Sequence, residues 1–149
     1  MELKIPESLK AEHEELHAEL TKATKVSGKI GEAAKAVAKV LHPHFAKEEE
    51  YALPPLGLLS HLAEGKIMPE MGSVLKMTDR LKAEHHQMLE EHKAIVAALE
   101  NLSDEAKKEK KMEYGQFAET LIRHAHNEEE VLYPTAILIG EYLRLKLRK

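Results

Sequence analysis

The chain has 149 residues, ten histidines, no cysteine, and a net charge of −4 from 22 basic and 26 acidic side chains. That length suits one domain with one core, residues 1–149, and the missing cysteines exclude disulfides, thiolate metal sites and a cysteine nucleophile. Well-mixed charge gives nucleic-acid binding no support. No apolar run approaches the roughly 18 residues of a membrane span, and the stretch from Met1 to Pro6 lacks a signal-peptide core, so a cytoplasmic protein with neither nucleic acid nor membrane as partner is expected.

Taken in chain order, the elements are helical. Pro6 suits a first turn, and the pattern runs to about Lys25 and stops at Gly28. A second helix is expected from about Lys29 to Leu53, ending at Pro54-Pro55. Between Gly57 and Gly65 a connector has room for one or two helical turns around His61. The third helix is expected from about Gly72 to Asn101. Ser103-Asp104 then offers an N-cap for a fourth that reaches Tyr133, where Pro134 breaks it, and a last piece covers Thr135 to Leu147. Pro43 is unusual inside a helix, because it removes the bond to the Lys39 carbonyl; it either tilts the turn that presents His44 or marks a local break.

Apolar stripes at spacings of three, four and seven run along each helix. They read Leu9, His13, Leu16, Leu20; then Ile30, Val37, Leu41, His44, Glu48, Tyr51; then Leu81, His85, Met88, His92, Ile95, Leu99; and last Phe117, Leu121, His124, Glu128, Val131. This pattern predicts an all-α, up-down-up-down four-helix bundle with a short connector helix and a C-terminal helical extension.

Two internal repeats sit on these stripes. The segment from His44 to Pro54 aligns without a gap on the one from His124 to Pro134, sharing the histidine, a run of three glutamates and the proline. Leu9 to His13 recurs word for word as Leu81 to His85. In each long segment a His and a Glu four apart share one helix face. A lone ionised carboxylate in a core costs several kcal/mol, and two facing each other need a cation or a shared proton between them. Neutral imidazoles and carboxylates are good ligands for iron, manganese or zinc. The minimal donor set is therefore His13, His44, Glu48, His85, His124 and Glu128. His17, four residues after His13, can ligate with it and is a seventh candidate.

The other histidines read differently. His42, His86 and His126 fall off the stripes, His61 is in the connector, and His92 reads as a core residue or one that supports a ligand. Glu49, Glu50, Glu129 and Glu130 read as solvated faces or as acceptors behind the ligands. His13-Glu-Glu-Leu-His17 matches the zinc-protease motif, but nothing else suggests a peptide cleft. A ferritin-like site wants Glu-x-x-His on two helices, and only Glu14 to His17 supplies it. The basic tail from Tyr142 to Lys149 reads as a terminal helix whose cations suit the helix dipole.

The donor-bearing segments resemble the hemerythrin-like, His-His-Glu cation-binding domain over nearly the whole chain. His13, His44 with Glu48, His85, and His124 with Glu128 followed by Tyr133-Pro134 carry the resemblance. It implies a non-haem di-iron centre, oxo- or hydroxo-bridged, with Glu48 and Glu128 bridging and histidines capping. The oxygen-carrying hemerythrins have two histidines four apart on the third helix and His-x-x-x-x-Asp on the fourth; here position 89 is Leu and the fourth helix has His-x-x-x-Glu. The set is more similar to the iron-centre-repair and nitric-oxide-responsive branch, although that branch usually carries a Cys-containing segment. By this resemblance the protein binds dioxygen, nitric oxide or peroxide at an open iron position, which favours a metal- and oxygen-binding protein over an enzyme and leaves that choice open. The alternatives are a di-iron oxidoreductase and an iron donor or repair protein acting in nitrosative or oxidative stress.

Overall fold

The computed structural model describes residues 3–148; Met1 and Glu2 of the N-terminal stretch and Lys149 of the basic tail lie outside them. Helix α1, Glu7–Thr24, buries His13, Leu16, Leu20 and Ala23 along the expected stripe. After Gly28, at φ 82°, α2 runs over Lys29–Lys47. Pro43 sits on its exposed side and the helix passes through without a break.

The α2 rod ends in a π turn, Glu48–Ala52, where the Leu53 N–H donates to the Glu48 carbonyl at 2.8 Å. A 3-10 turn at Pro54–Leu58 leads into the short connector helix α3, Leu59–Ala63, with His61 exposed. A second 3-10 turn, Pro69–Val74, precedes α4. That helix is longer than its caps suggest. It spans Leu75–Lys108, and Ser103-Asp104 lies inside it instead of starting a new helix. Buried Leu99, Leu102 and Ala106 keep the helical spacing across this point, so core packing overrides the cap signal. The reversal comes instead at Lys110, in the left-handed region at φ 58°, with the Lys111 N–H donating to the Ala106 carbonyl at 2.9 Å.

The last rod is α5, Met112–Asn127, a π turn, Glu128–Leu132, and α6, Tyr133–Lys146. Pro134 does not break it. The π turn directly before it carries one extra residue per turn, its closing bond runs from the Tyr133 N–H to the Glu128 carbonyl, and the proline falls in the first turn of α6, where a missing N–H is tolerated. The same insertion turns the inward face by one residue. Val131, on the expected stripe, is 49% exposed, while Tyr133 is fully buried.

Helix α4 packs against both α2 and α5, and α1 closes the bundle against α2 and α5. Among the described residues there is no strand, and no helix is long and apolar enough to cross a membrane. The interior divides into two apolar clusters. One holds Leu16, Leu20, Leu41, Ile95, Leu99 and Leu121; the other holds Leu53, Leu81, Met88, Tyr133 and Ile139. Each long helix passes from one cluster to the other, and the polar interior side chains stand at the crossing.

Candidate metal centre

Position along the helix decides which polar side chains meet. On α1, His13 lies between Leu9, packed on the second cluster, and Leu16 of the first. On the α5 rod His124 and Glu128 lie between Leu121 and Tyr133, and on α4 His92 lies between Met88 and Ile95. His44 and Glu48 occupy the same level at the end of α2. The result is a buried layer of four histidines and two carboxylates.

Their donor atoms form two groups, His44, Glu48, His92 and Glu128 on one side and His13, His124 and Glu128 on the other, each with all its atoms within 4.8 Å of one another. The carboxylates face both sides. Glu128 Oε1 is 3.3 Å from His92 Nε2, while its Oε2 is 3.1 Å from His124 Nε2 and 3.4 Å from His13 Nε2. Glu48 Oε2 is 3.6 Å from His44 Nε2, and its Oε1 is 3.8 Å from His13 Nε2.

Five of the six residues of the minimal set are thus together, and His85 stands apart. It lies between Leu81 and Met88, both in the second cluster, two helical turns short of the polar layer. Its Nε2 is buried without a hydrogen-bond partner, and its ring centre is 6.2 Å from that of Tyr133. His92, one heptad further along α4, takes the place in the layer. His17 joins neither group: it is exposed, packed edge-on against His42 with ring centres 4.9 Å apart.

Behind the histidines is a set of carboxylates. The His44 Nδ1–H donates to Glu91 Oε1 at 2.9 Å, and the His92 Nδ1–H to Glu129 Oε1 at 2.9 Å. The His124 Nδ1–H donates to Glu12. Glu49 Oε1 is 3.9 Å from His13 Nδ1, whose ring is also stacked on Phe45, with centres 4.2 Å apart. Such partners fix the tautomer that leaves Nε2 free and raise its basicity as a ligand. Glu12, Glu91 and Glu129 each adjoin a layer residue in sequence, and each serves a histidine on another helix. Glu12 and Glu91 were not expected from the sequence. Their position beside His13 and His92 is the one signal that marks them, and it needs the helix pairing to be read.

Tyr133 completes the layer. Its hydroxyl donates to Glu48 Oε2 at 2.6 Å and lies 3.1 Å from His44 Nε2 and 3.0 Å from His92 Nε2.

Electrostatics mark this layer as built for positive charge. Burial and the neighbouring Glu128 carboxylate push Glu48 up to about 7. Burial also opposes ionisation of Glu128, yet hydrogen bonds from Glu48, His124, His13 and His92 hold it well below the ordinary range. The pair therefore shares a proton carried on Glu48. Burial lowers His124, but Glu128 and Glu12 outweigh it and raise the ring to about 9. His44 is raised in the same way by Glu48 and Glu91 against its burial. Burial, with Glu48 and Glu128 beside it, keeps the Tyr133 phenol far above its usual value. Glu48 Oε1 is buried in the layer without a hydrogen-bond partner. An orphaned carboxylate oxygen among imidazoles and a second converging carboxylate is what a bound cation satisfies, so the residues present fit a metal.

A helical bundle that closes four histidines and two carboxylates into one buried layer belongs to the class of metal-binding bundle proteins. The model of the hemerythrin HHE cation-binding domain matches residues 4–136. The chain belongs to that family. No curated protein and no solved structure matches it.

Proposed function

We propose that the chain is one domain that holds two iron ions and binds dioxygen, or a related small molecule such as nitric oxide or peroxide, at one of them. The observation that carries the reading is the orientation of the two buried carboxylates. Glu128 turns one oxygen toward His92 and the other toward His124 and His13, and Glu48 turns one toward His44 and the other toward His13. A carboxylate with its oxygens aimed at two donor groups is suited to bridge two ions.

The two sides differ. The His44–His92 side has Tyr133 against it. On the other, Leu53 occupies the position that the repeat pairs with Tyr133 and supplies no donor. A cavity of about 170 Å³ lined by Ile5, Lys10, His13, Glu14, Glu49 and Leu53 reaches that side. A small diatomic ligand fits such a space, and an ion held by two histidines and shared carboxylates keeps a position open for it. Bound iron would supply the electrons that reversible ligand binding needs. The chain supplies the orientation of its donors, with an apolar cluster packed on either side of the layer.

Metal analysis together with an optical spectrum before and after oxygen tests this. The expected result is two irons per chain and a spectrum that changes with oxygen and reverts on its removal. Glu48→Ala and Glu128→Ala should each lower metal content while the helical signal persists. A purified chain without stoichiometric metal, unaltered by His44→Ala and His124→Ala, would refute the reading. Steady consumption of peroxide or nitric oxide with a reductant would make it an oxidoreductase, and iron lost to weak chelators would make it a donor.

A further inference from the structure

The Tyr133 hydroxyl has one hydrogen and faces three acceptors. That hydrogen goes to Glu48 Oε2. His44 and His92 each donate Nδ1–H to a carboxylate, so in the neutral form that binds metal both present a bare Nε2 lone pair. Both nitrogens lie 3.1 and 3.0 Å from the phenol oxygen, and the one phenol hydrogen, given to Glu48, fills neither gap. A tyrosine that only needed burial would have been satisfied by Glu48 alone. Lone pairs that converge from four side chains, Glu48, His44, His92 and Tyr133, call for a cation.

The spacing agrees. An octahedral ion with bonds of about 2.1 Å holds its adjacent donors about 3.0 Å apart. Separations of 2.6, 3.1 and 3.0 Å from the hydroxyl to three donor atoms bracket that value, so the hydroxyl already stands where an adjacent donor would. The chain also positions this hydroxyl deliberately. The π turn brings Tyr133 to the interior in place of Val131, and Pro134 follows directly. In the first copy the same turn delivers Leu53.

We propose that Tyr133 is itself a ligand, binding the ion on the His44–His92 side as a phenolate and making the two metal positions chemically unequal. The inference rests on the two-iron reading above. On coordination the phenol O–H bond breaks, an oxygen–metal bond forms, and the proton leaves to solvent; no electron is transferred. A nearby cation reverses the effect of the buried carboxylates on this phenol.

The test uses the full chain reconstituted with iron and oxidised to the ferric state. Phenolate bound to ferric iron gives a visible charge-transfer band, and resonance Raman excitation in that band enhances tyrosine ring modes. The wild type is expected to show both. Tyr133→Phe should lose them while keeping iron, and Tyr51→Phe should retain them, since the Tyr51 hydroxyl faces Met88 Sδ at 3.6 Å. Two irons per chain without the band or the ring modes would overturn this inference and leave the two-iron reading standing. A band that survives in Tyr133→Phe would do the same. A chain that takes up no iron would sink both. The wild-type Raman spectrum decides the matter even where the variant does not fold.

Discussion

At the scale of single residues, three of the four imidazoles in the layer are held from behind by a carboxylate that is neither a donor to the ion nor buried with it. These contacts are hydrogen bonds, from His44 to Glu91, from His92 to Glu129 and from His124 to Glu12. Beside the fourth, His13, Glu49 is 3.9 Å away and mostly exposed. Loss of such a partner leaves the ligand in place but frees its ring to rotate or change tautomer, and typically weakens metal binding about 10–100-fold. Glu91→Gln is the sharpest case, because Lys47, Gln87 and His44 all converge on this carboxylate and, against partial burial, hold it down at about 2. Glu91→Gln, Glu129→Gln and Glu12→Gln should each lower the chelator concentration that strips half the metal by about that factor, while Glu49→Gln changes it little. Glu50→Gln is the surface control, since Glu50 only meets Arg80. A Glu49 effect equal to that of Glu91 would mean the His13 ring is held by charge instead of by Phe45.

At the scale of elements, helical spacing was enough to find the four rods, and the gapless repeat was enough to pick His44, Glu48, His124 and Glu128 from among their neighbours. Two features escaped for one physical reason: a stripe drawn at 3.6 residues per turn carries no depth and assumes an unbroken helix. The five-residue match of His13 with His85 is a match of words, and only the two apolar clusters show that α4 reaches the polar layer at His92. The π turns insert a residue after each layer glutamate, so a stripe continued past Glu128 lands on Val131 and misses Tyr133. The α4–α5 reversal was misplaced because its cap residue is a lysine instead of the usual glycine or asparagine. Lys110 at φ 58° carries a left-handed penalty of about 1–2 kcal/mol, so Lys110→Gly should stabilise the fold by about 1 kcal/mol, read as a higher denaturant midpoint with an unchanged slope. The opposite sign is expected at Gly140, where α6 meets α4: a Cβ there would lie 2.6 Å from Thr78 Cβ. Gly140→Ala should cost about 1–3 kcal/mol by overpacking, and it should also disturb Tyr133 in the first turn of α6.

For the whole molecule, the polar layer trades protons against metal, and that trade sets how stability follows pH. Glu48, at about 7 in the fold against an ordinary 4.5, binds its proton more tightly folded than unfolded; its contribution is complete below 4.5 and is lost as pH rises through 7. His124, at about 9 against 6.5, contributes fully below 6.5 and loses its share as pH rises through 9. The lowered carboxylates act in the other direction, with Glu91 contributing above 4.5 and losing that contribution as pH falls toward 2. Folded protein thus binds the extra protons between pH 5 and 9, and the metal-free chain should become steadily less stable across that range. Metal reverses this dependence, because cations replace those protons and bind more tightly as the donors deprotonate. Thermal denaturation of chelator-treated and metal-loaded protein at pH 5, 7 and 9 should show two curves that lie close together in acid and separate progressively toward pH 9. A metal-free chain more stable at pH 9 than at pH 5 would show that the carboxylate pair does not hold a proton in common, and the charge of the empty layer would then have to be balanced some other way.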